Sequence, residues 1–332
     1  MKEEVIVVTG GGGFIGHHLV KHLMNCKKVV VLDNFVRGTL DRLKGLEDKV
    51  IIRNCDITNY DSIEKCLNEF NVKTLYHLAA INGTGNFYKI PLDIMDVGTL
   101  GCLNVLNFAK KHGTKKLILA SSAEVYQEAN IVPTPEDIPL MIPDVKNPRF
   151  SYGLSKIYTE YYSYHFGLTH NMNISIFRPH NVYGPDMGLQ HVIPQFIMEF
   201  LKKINTEDEI RIETKGSLEA VRAFCYVDDI VRGLILLSKK NSGVNVYNIG
   251  NTQRVKMSVL LGEIGRVFKC EYKVLEGKNE HVGGSMLRCP DLSKIEGLGY
   301  KCLVSLSEGL SKTTEWYRDI LTKLNKVKNK IY

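Results

Sequence analysis

From Val5 to Arg178 short apolar runs alternate with stretches in which apolar residues recur every three or four positions, a pattern of strands alternating with helices. The first run, Val5-Ile6-Val7-Val8, breaks on Gly10 to Gly13 and resumes with helical spacing at Phe14, Ile15, Leu19, Val20 and Leu23. Further strands are predicted at Val29–Leu32, Val50–Asn54, Thr74–Leu78, Lys116–Ala120 and Ile174–Arg178, the last closing the alternating series. Helices are predicted from about Asn59 to Phe70, from Leu92 to Lys111 with Gly113 as the stop, and from Ser151 to His165. Strands that alternate with helices imply an α/β, Rossmann-type, doubly wound parallel sheet. Five prolines between Ile131 and Pro148 mark an extended loop over the strand ends.

Beyond Pro179 the pattern shortens. A turn at Asn181–Pro185, a helix over Val192–Lys203 and a short strand at Ile210–Ile212 precede a helix capped by Tyr226-Val227-Asp228-Asp229. A strand at Val246–Ile249, a helix after Lys256, a loop from Gly277 to Pro290 and a helix around Trp316 follow. The expected division is a dinucleotide-binding domain of residues 1–178 and 222–249, and a smaller α+β substrate-binding lobe of residues 179–221 and 250–332.

The glycine run carries the first chemistry. Gly10, Gly13 and Gly16 fit a turn in which the chain reverses, a pyrophosphate approaches the backbone and the helix packs on the strand, with the anion at the helix N-terminus. Asp33 ends the second strand 23 residues after Gly10, where a carboxylate bonds the ribose hydroxyls and repels a 2′-phosphate. NAD is therefore expected rather than NADP, although Arg37 is nearby and keeps the second cofactor in view. The predicted cofactor surface comprises Gly10, Gly13, Phe14, Ile15, Gly16, Asp33, Asn34, Asp56, Ile57, Leu78, Ala79 and Ala80. His77 is read as a satisfied buried histidine.

Composition narrows the class. The 332 residues are 44% hydrophobic, enough for a large core, and the formal net charge of +7 is dispersed among lysines with a Lys-rich end at Lys323, Lys326, Lys328 and Lys330. No basic stripe is interleaved with aromatics, so no nucleic-acid partner is expected. The eight cysteines form no CxxC and no Cys/His pair at metal-ligand spacing, so reduced thiols and no metal are expected. Met-Lys-Glu-Glu runs straight into the first strand, and no apolar run reaches the roughly 18 residues of a membrane span. A cytoplasmic protein without a membrane partner is predicted.

Tyr152 and Lys156 stand at i and i+4 on one predicted helix and project from the same face. A lysine ammonium lowers a phenol pKa, and the phenolate can then take a hydroxyl proton as hydride leaves the same carbon. Ser121-Ser122 ends the fifth strand, where a hydroxyl can share that substrate oxygen.

Together with Thr9 to Gly16, His77-Leu78-Ala79-Ala80, Ser121 to Tyr126, Arg178-Pro179-His180-Asn181-Val182-Tyr183-Gly184-Pro185, Arg222 to Asp229 and Leu298-Gly299-Tyr300, these motifs give the chain its resemblance. It resembles the extended short-chain dehydrogenases/reductases that act on nucleotide sugars, the group of 4-epimerases, 3,5-epimerases, UDP-xylose synthase and 4,6-dehydratases. The resemblance implies NAD recycled within one turnover, Tyr152 as base, Lys156 as its partner and ribose ligand, and Ser122 at the reacting hydroxyl. It also implies Asn181, Arg222 and Arg288 at the substrate diphosphate and nucleotide, and a homodimer through a four-helix interface of the helices at 92–111 and 151–165. His180, Val192, Ile193 and Phe196 are expected on the nucleotide side, which leaves UDP and GDP both open. Gly98 departs from the pattern, replacing an asparagine that usually lies near the nicotinamide ribose.

A nucleotide-sugar 4-epimerase is the leading expectation, ahead of a 4,6-dehydratase, a C5 epimerase and a C4 dehydrogenase that releases the keto sugar. A non-enzymatic NAD-binding protein ranks last, because Ser122, Tyr152 and Lys156 are all present. Glu124 is the position that separates the catalytic outcomes: it stands where a carboxylate could reach C5 of a 4-keto sugar. Ala123 occupies the place of the acid that protonates a leaving hydroxyl in the dTDP-glucose dehydratases.

Overall fold

The computed structural model describes residues 2–25, 27–204, 206, 209–214, 216–240, 242–276 and 285–331. Cys26 and most of the predicted loop at 277–290 lie outside the described residues. The first half is β1 (Glu3–Thr9), α1 (Phe14–Leu23), β2 (Val29–Asp33), β3 (Val50–Asn54), α2 (Tyr60–Leu67), β4 (Phe70–His77), α3 (Thr84–Lys89), α4 (Pro91–Lys111), β5 (Lys116–Ala120), α5 (Ser151–His170) and β6 (Asn173–Pro179). Then come β7 (Val182–Tyr183), α6 (Val192–Lys203), β8 (Ile210–Thr214), β9 (Val221–Arg222), β10 (Cys225–Tyr226), α7 (Val227–Lys240) and β11 (Val244–Ile249). The chain ends with β12 (Val255–Lys256), α8 (Met257–Phe268), β13 (Tyr272–Glu276), β14 (Leu287–Arg288), α9 (Ser293–Glu296) and α10 (Leu306–Ile331).

Seven parallel strands form the main sheet in the order β11-β6-β5-β4-β1-β2-β3. All five residues of β2 are buried, as expected of a strand covered by helices on both faces. The order reverses beside β1, and that point in an open α/β sheet leaves a crevice at the C-terminal strand ends for a ligand. The sheet extends one strand beyond the predicted series, because β11 pairs along its whole length with β6.

Other boundaries also move. The second predicted helix stops at Leu67, since Phe70 already pairs with Glu3 as the first residue of β4. Helix α5 runs on to His170 and ends at Asn171, whose φ of 50° puts it in the left-handed region that terminates helices. Helix α3 is an addition to the sequence reading. Among the described residues α4 alone has the length and mean hydropathy, 1.2, of a membrane span, but half of that window is buried inside the fold. Its buried face carries Ile94, Cys102, Val105, Leu106 and Phe108, which marks it as a core helix.

The second part has its own core, in which Phe196, Ile197 and Phe200 of α6 pack with Leu260, Leu261 and Ile264 of α8 and with Leu310 of α10. Its strands are short: β9 pairs with β12 and β14, β8 with β13, and β7 with β10. Arg42 ties the two parts together, donating to the Gly12 carbonyl at 3.1 Å and to the Asp186 carbonyl at 2.7 Å. Tyr317 of α10 donates to the Met187 carbonyl.

Candidate active site

The glycine turn closes as the spacing predicts. Gly10 has φ +70°, and a Cβ there would lie 2.7 Å from the Ala79 amide nitrogen, so only glycine allows the turn to sit against the end of β4. A Cβ on Gly16 would run into the Gly10 carbonyl, so helix and turn touch through backbone alone. Asp33 Oδ2 accepts the Gly12 amide and Oδ1 the Phe35 amide, both at 2.8 Å. Burial raises the Asp33 pKa from its usual value, opposed by those two amides and by Arg42.

Gly10, Gly13, Asp33, Asn34, Asp56, Ile57, Leu78, Ala79 and Ala80 line one crevice of about 90 Å³, with Arg37 and Cys55 among the other wall residues. Phe14 and Ile15 pack instead against the apolar clusters beneath it. Asp56 Oδ1 accepts from the Thr58 amide and hydroxyl, at 2.9 and 2.8 Å. A backbone cradle closed to any side chain, with a carboxylate at the end of β2, fits a dinucleotide. Bound there, NAD would supply a nicotinamide able to accept hydride from a substrate carbon.

Tyr152 and Lys156 emerge from the first turns of α5, 7% and 3% exposed. The Tyr152 ring stacks on Phe87 of α3, centroids 5.6 Å apart, and packs with Ala80, Ile81 and Val97, which also line the cofactor crevice. Burial pushes the phenol above its usual pKa, the nearby Ser122 hydroxyl opposes the rise, and the charge of Glu124 adds to it. Lys156 Nζ donates to the Ala120 carbonyl at 2.7 Å and lies over the Tyr152 ring, 5.7 Å from its centroid. Burial lowers the Lys156 pKa to about 8, against the opposing effects of Cys102 and Glu160.

A Cβ on Gly98 would fall 2.7 Å from Ser155 Oγ, so Ser155 of α5 fills the space that a side chain on α4 would need. His77 is buried and hydrogen-bonded to Thr9 Oγ1 at 2.8 Å, as read.

Asn181, Val192, Phe196 and Arg222 line a cavity of about 850 Å³ between α6, β8 and β9. His180 and Ile193 do not. His180 is 2% exposed with Nε2 on Asn248 Oδ1 at 3.0 Å, and Ile193 belongs to the lobe core, because the helical period turns it away from Val192. Arg149, which the sequence reading missed, also lines the cavity. Its signal was available: it precedes Tyr152 by three residues, in the short turn Pro148–Phe150 that leads into α5.

Arg288 stands opposite Arg222 in the β14/β9 pairing and forms an ion pair with Glu124. Burial alone would raise the Glu124 pKa, but Arg288, then Arg149 and Arg222, outweigh it and hold the carboxyl below its usual range. Three guanidinium groups around one carboxylate leave two positive charges. Among the described residues, the buried Nε atoms of Arg149 and Arg288 have no hydrogen-bond partner. That arrangement suits a diphosphate.

Cys225, Asp229 and Cys302 bring their ligand atoms within 4.8 Å of one another, a grouping invisible in the spacing. Asp229, however, already accepts the amides of Leu303 and Val304 and pairs with Arg232, which makes it an anchor for the chain before α10.

The comparisons agree with this geometry. Residues 6–250 match the model of the NAD dependent epimerase/dehydratase family. The chain belongs to that family. It is an NAD-dependent enzyme. UDP-glucuronic acid decarboxylase 1 of Xenopus tropicalis is 31% identical over 317 residues, 94% of this chain and 72% of that one. A putative UDP-glucose 4-epimerase of Methanocaldococcus jannaschii is 31% identical over 322 residues, covering 95% of this chain and 99% of the other. Among solved structures, UDP-glucose 4-epimerase of Thermotoga maritima with UDP-glucose superposes with a TM-score of 0.84 at 28% identity, covering 96% of this chain and 99% of that one.

Proposed function

We propose that this enzyme is a UDP-sugar 4-epimerase. Tyr152 takes the proton of the sugar 4-hydroxyl, Ser122 holds that oxygen, and the 4-keto sugar turns over before the proton returns to its oxygen from Tyr152. Lys156 holds positive charge beside the phenol. Arg222, Arg288 and Arg149 bind the diphosphate, and Asn181, Val192 and Phe196 border the nucleotide.

The observation that carries this reading over C5 chemistry is the Glu124–Arg288 pair. A carboxylate held below its usual pKa by three arginines is a weak base toward a C5 proton, and Ala123 offers no acid for dehydration. The 4-epimerases among the relatives support the same assignment, and the UDP-bound neighbours favour UDP over GDP.

A second reading rests on the same residues. Decarboxylases of UDP-glucuronic acid are prominent relatives, and a third guanidinium, Arg149, is available for a uronate carboxylate. A 4-keto uronate is a β-keto acid, so carbon dioxide leaves as the C5–carboxyl bond electrons move toward the ketone. The test is incubation with UDP-glucose, UDP-galactose and UDP-glucuronate in turn, followed by NMR of the products. One equilibrium mixture reached from both hexoses supports the epimerase; carbon dioxide from UDP-glucuronate with both hexoses unchanged overturns it.

We also propose a homodimer through α4 and α5. These helices pack on each other yet leave Leu92, Leu100, Leu154, Tyr161 and Leu168 at 42–70% exposure, an apolar face that a second copy would cover. Light scattering at micromolar concentration would overturn this with a monomer mass.

A further inference from the structure

The turn that carries Ser122 and Glu124 is held at both ends by one buried ion pair. At its start, Ser121 Oγ donates to Glu160 Oε1. At its end, Tyr126 Oη accepts from Arg178 Nη1 at 2.6 Å. Glu160 and Arg178 complete the bracket through two bonds, Nε to Oε1 at 2.9 Å and Nη2 to Oε2 at 2.5 Å. Ser121, Tyr126, Glu160 and Arg178 are each 3–5% exposed, so water cannot substitute for these partners.

Glu160 follows Tyr152 and Lys156 at i+8 and i+4 on α5, so the helix that carries the base also carries the clamp. Arg178 lies near the end of β6, and a further contact braces it from outside the turn: Nη1 donates to the Glu136 carbonyl at 2.9 Å, while Tyr126 Oη donates to Asn248 Oδ1 at 2.8 Å. A buried ion pair is a poor way to gain stability, since apolar replacements of equal volume are often neutral or better. What it offers is direction. Two parallel bonds from a planar guanidinium fix the Glu160 carboxylate in one orientation, and the carboxylate fixes Ser121.

We propose that Glu160 and Arg178 are positioning residues that hold Ser122 in place for the reaction at Tyr152 by clamping the turn between Ser121 and Tyr126. The proposal rests on Ser122 and Tyr152 as the reacting pair. Neither clamp residue touches the substrate; both act through the turn.

Glu160→Gln would leave Arg178 buried without a counter-charge, so the test uses Ser121, whose hydroxyl can be removed while the ion pair stays. Wild type, Ser121→Ala and Ser121→Thr are compared in conversion of UDP-glucose, and hydrogen exchange of residues 122–126 is followed by mass spectrometry. In Ser121→Ala, kcat should fall about tenfold with KM within about twofold, as expected when reacting groups are misplaced and binding groups are not. Exchange in the turn should rise while α5 is unchanged, and Ser121→Thr should restore both. Wild-type kinetics and exchange in Ser121→Ala would overturn the proposal, as would equal impairment of the Ala and Thr variants. A wild type inactive on UDP-glucose would count against the epimerase reading alone. The exchange comparison then decides the clamp, with an unchanged turn in Ser121→Ala overturning it.

Discussion

The crevice proposed for the cofactor and the cavity proposed for the sugar nucleotide are made of different materials. The first is mostly backbone and small side chains, Gly10, Gly13, Ala79 and Ala80, with Asp33 as its charged end. The second is walled by long side chains from segments far apart in the chain, among them Arg149 before α5 and Arg222 on β9, with Arg288 on β14 paired opposite Arg222. A backbone site is intolerant of added atoms. A side-chain site accepts new shapes and depends on charge. The two regions should therefore fail in different ways.

The largest effect is expected where they meet. Tyr152→Phe keeps the ring and its stacking on Phe87 but removes the proton acceptor, and turnover should fall by about 10³-fold with both ligands still bound. Calorimetric titration with UDP beside a rate assay checks this.

Gly16→Val should strip the protein of NAD, read as nicotinamide nucleotide released on denaturing the purified variant, and lower Tm, because the new Cβ meets the Gly10 carbonyl. Affinity for UDP should change far less if the regions are as separate as their materials suggest.

Arg222→Ala should do the converse, raising KM for the sugar nucleotide about tenfold or more with NAD retained, from the loss of charge-assisted hydrogen bonds. Arg149→Ala should act in the same direction if it faces the substrate anion, and kinetics with wild-type KM would remove it from the site.

A smaller, graded effect is expected from pH. The Lys156 pKa lies near about 8 in the folded protein against 10.5 when unperturbed, so the positive charge beside Tyr152 is lost as pH rises through about 8. Turnover should decline on that alkaline limb, and a rate profile up to pH 10 checks it. Linkage gives the stability sign: the unfolded chain binds more protons between about 8 and 10.5, so this residue's contribution to stability increases with pH across that window.

The smallest effect concerns Glu124. Its pKa is depressed in the fold, so its ion pair contributes fully above the unperturbed value of 4.5 and is lost as pH falls through the lower folded value. The Tm difference between wild type and Glu124→Gln should be constant at neutral pH and shrink in acid.

The same contrast in materials explains what was legible in the sequence. Glycines and small residues at fixed offsets along one strand-turn-helix unit can be counted, which is why the crevice residues fell together. Arg222 and Arg288 were reached through motif resemblance, and their opposition across β9 and β14 could not be read from spacing. His180 was misplaced because a residue next to a turn has two directions to point, and its partner Asn248 lies on a strand that joins the sheet much later in the chain. The bracket of Ser121, Glu160, Arg178 and Tyr126 draws on three segments, the turn after β5, α5 and β6, whose order says nothing of their meeting.

Arg42 has a consequence for how the molecule comes apart. One guanidinium grips the glycine turn through Gly12 and the opening of the smaller lobe through Asp186, while Tyr317 returns from the last helix to bond Met187 one residue later. The lobe also receives its chain twice from the sheet, through β6 and again through β11. Neither region can melt without releasing the other's anchors. Calorimetry of the wild type should give a single heat-absorption peak, and Arg42→Met should begin to split it in two.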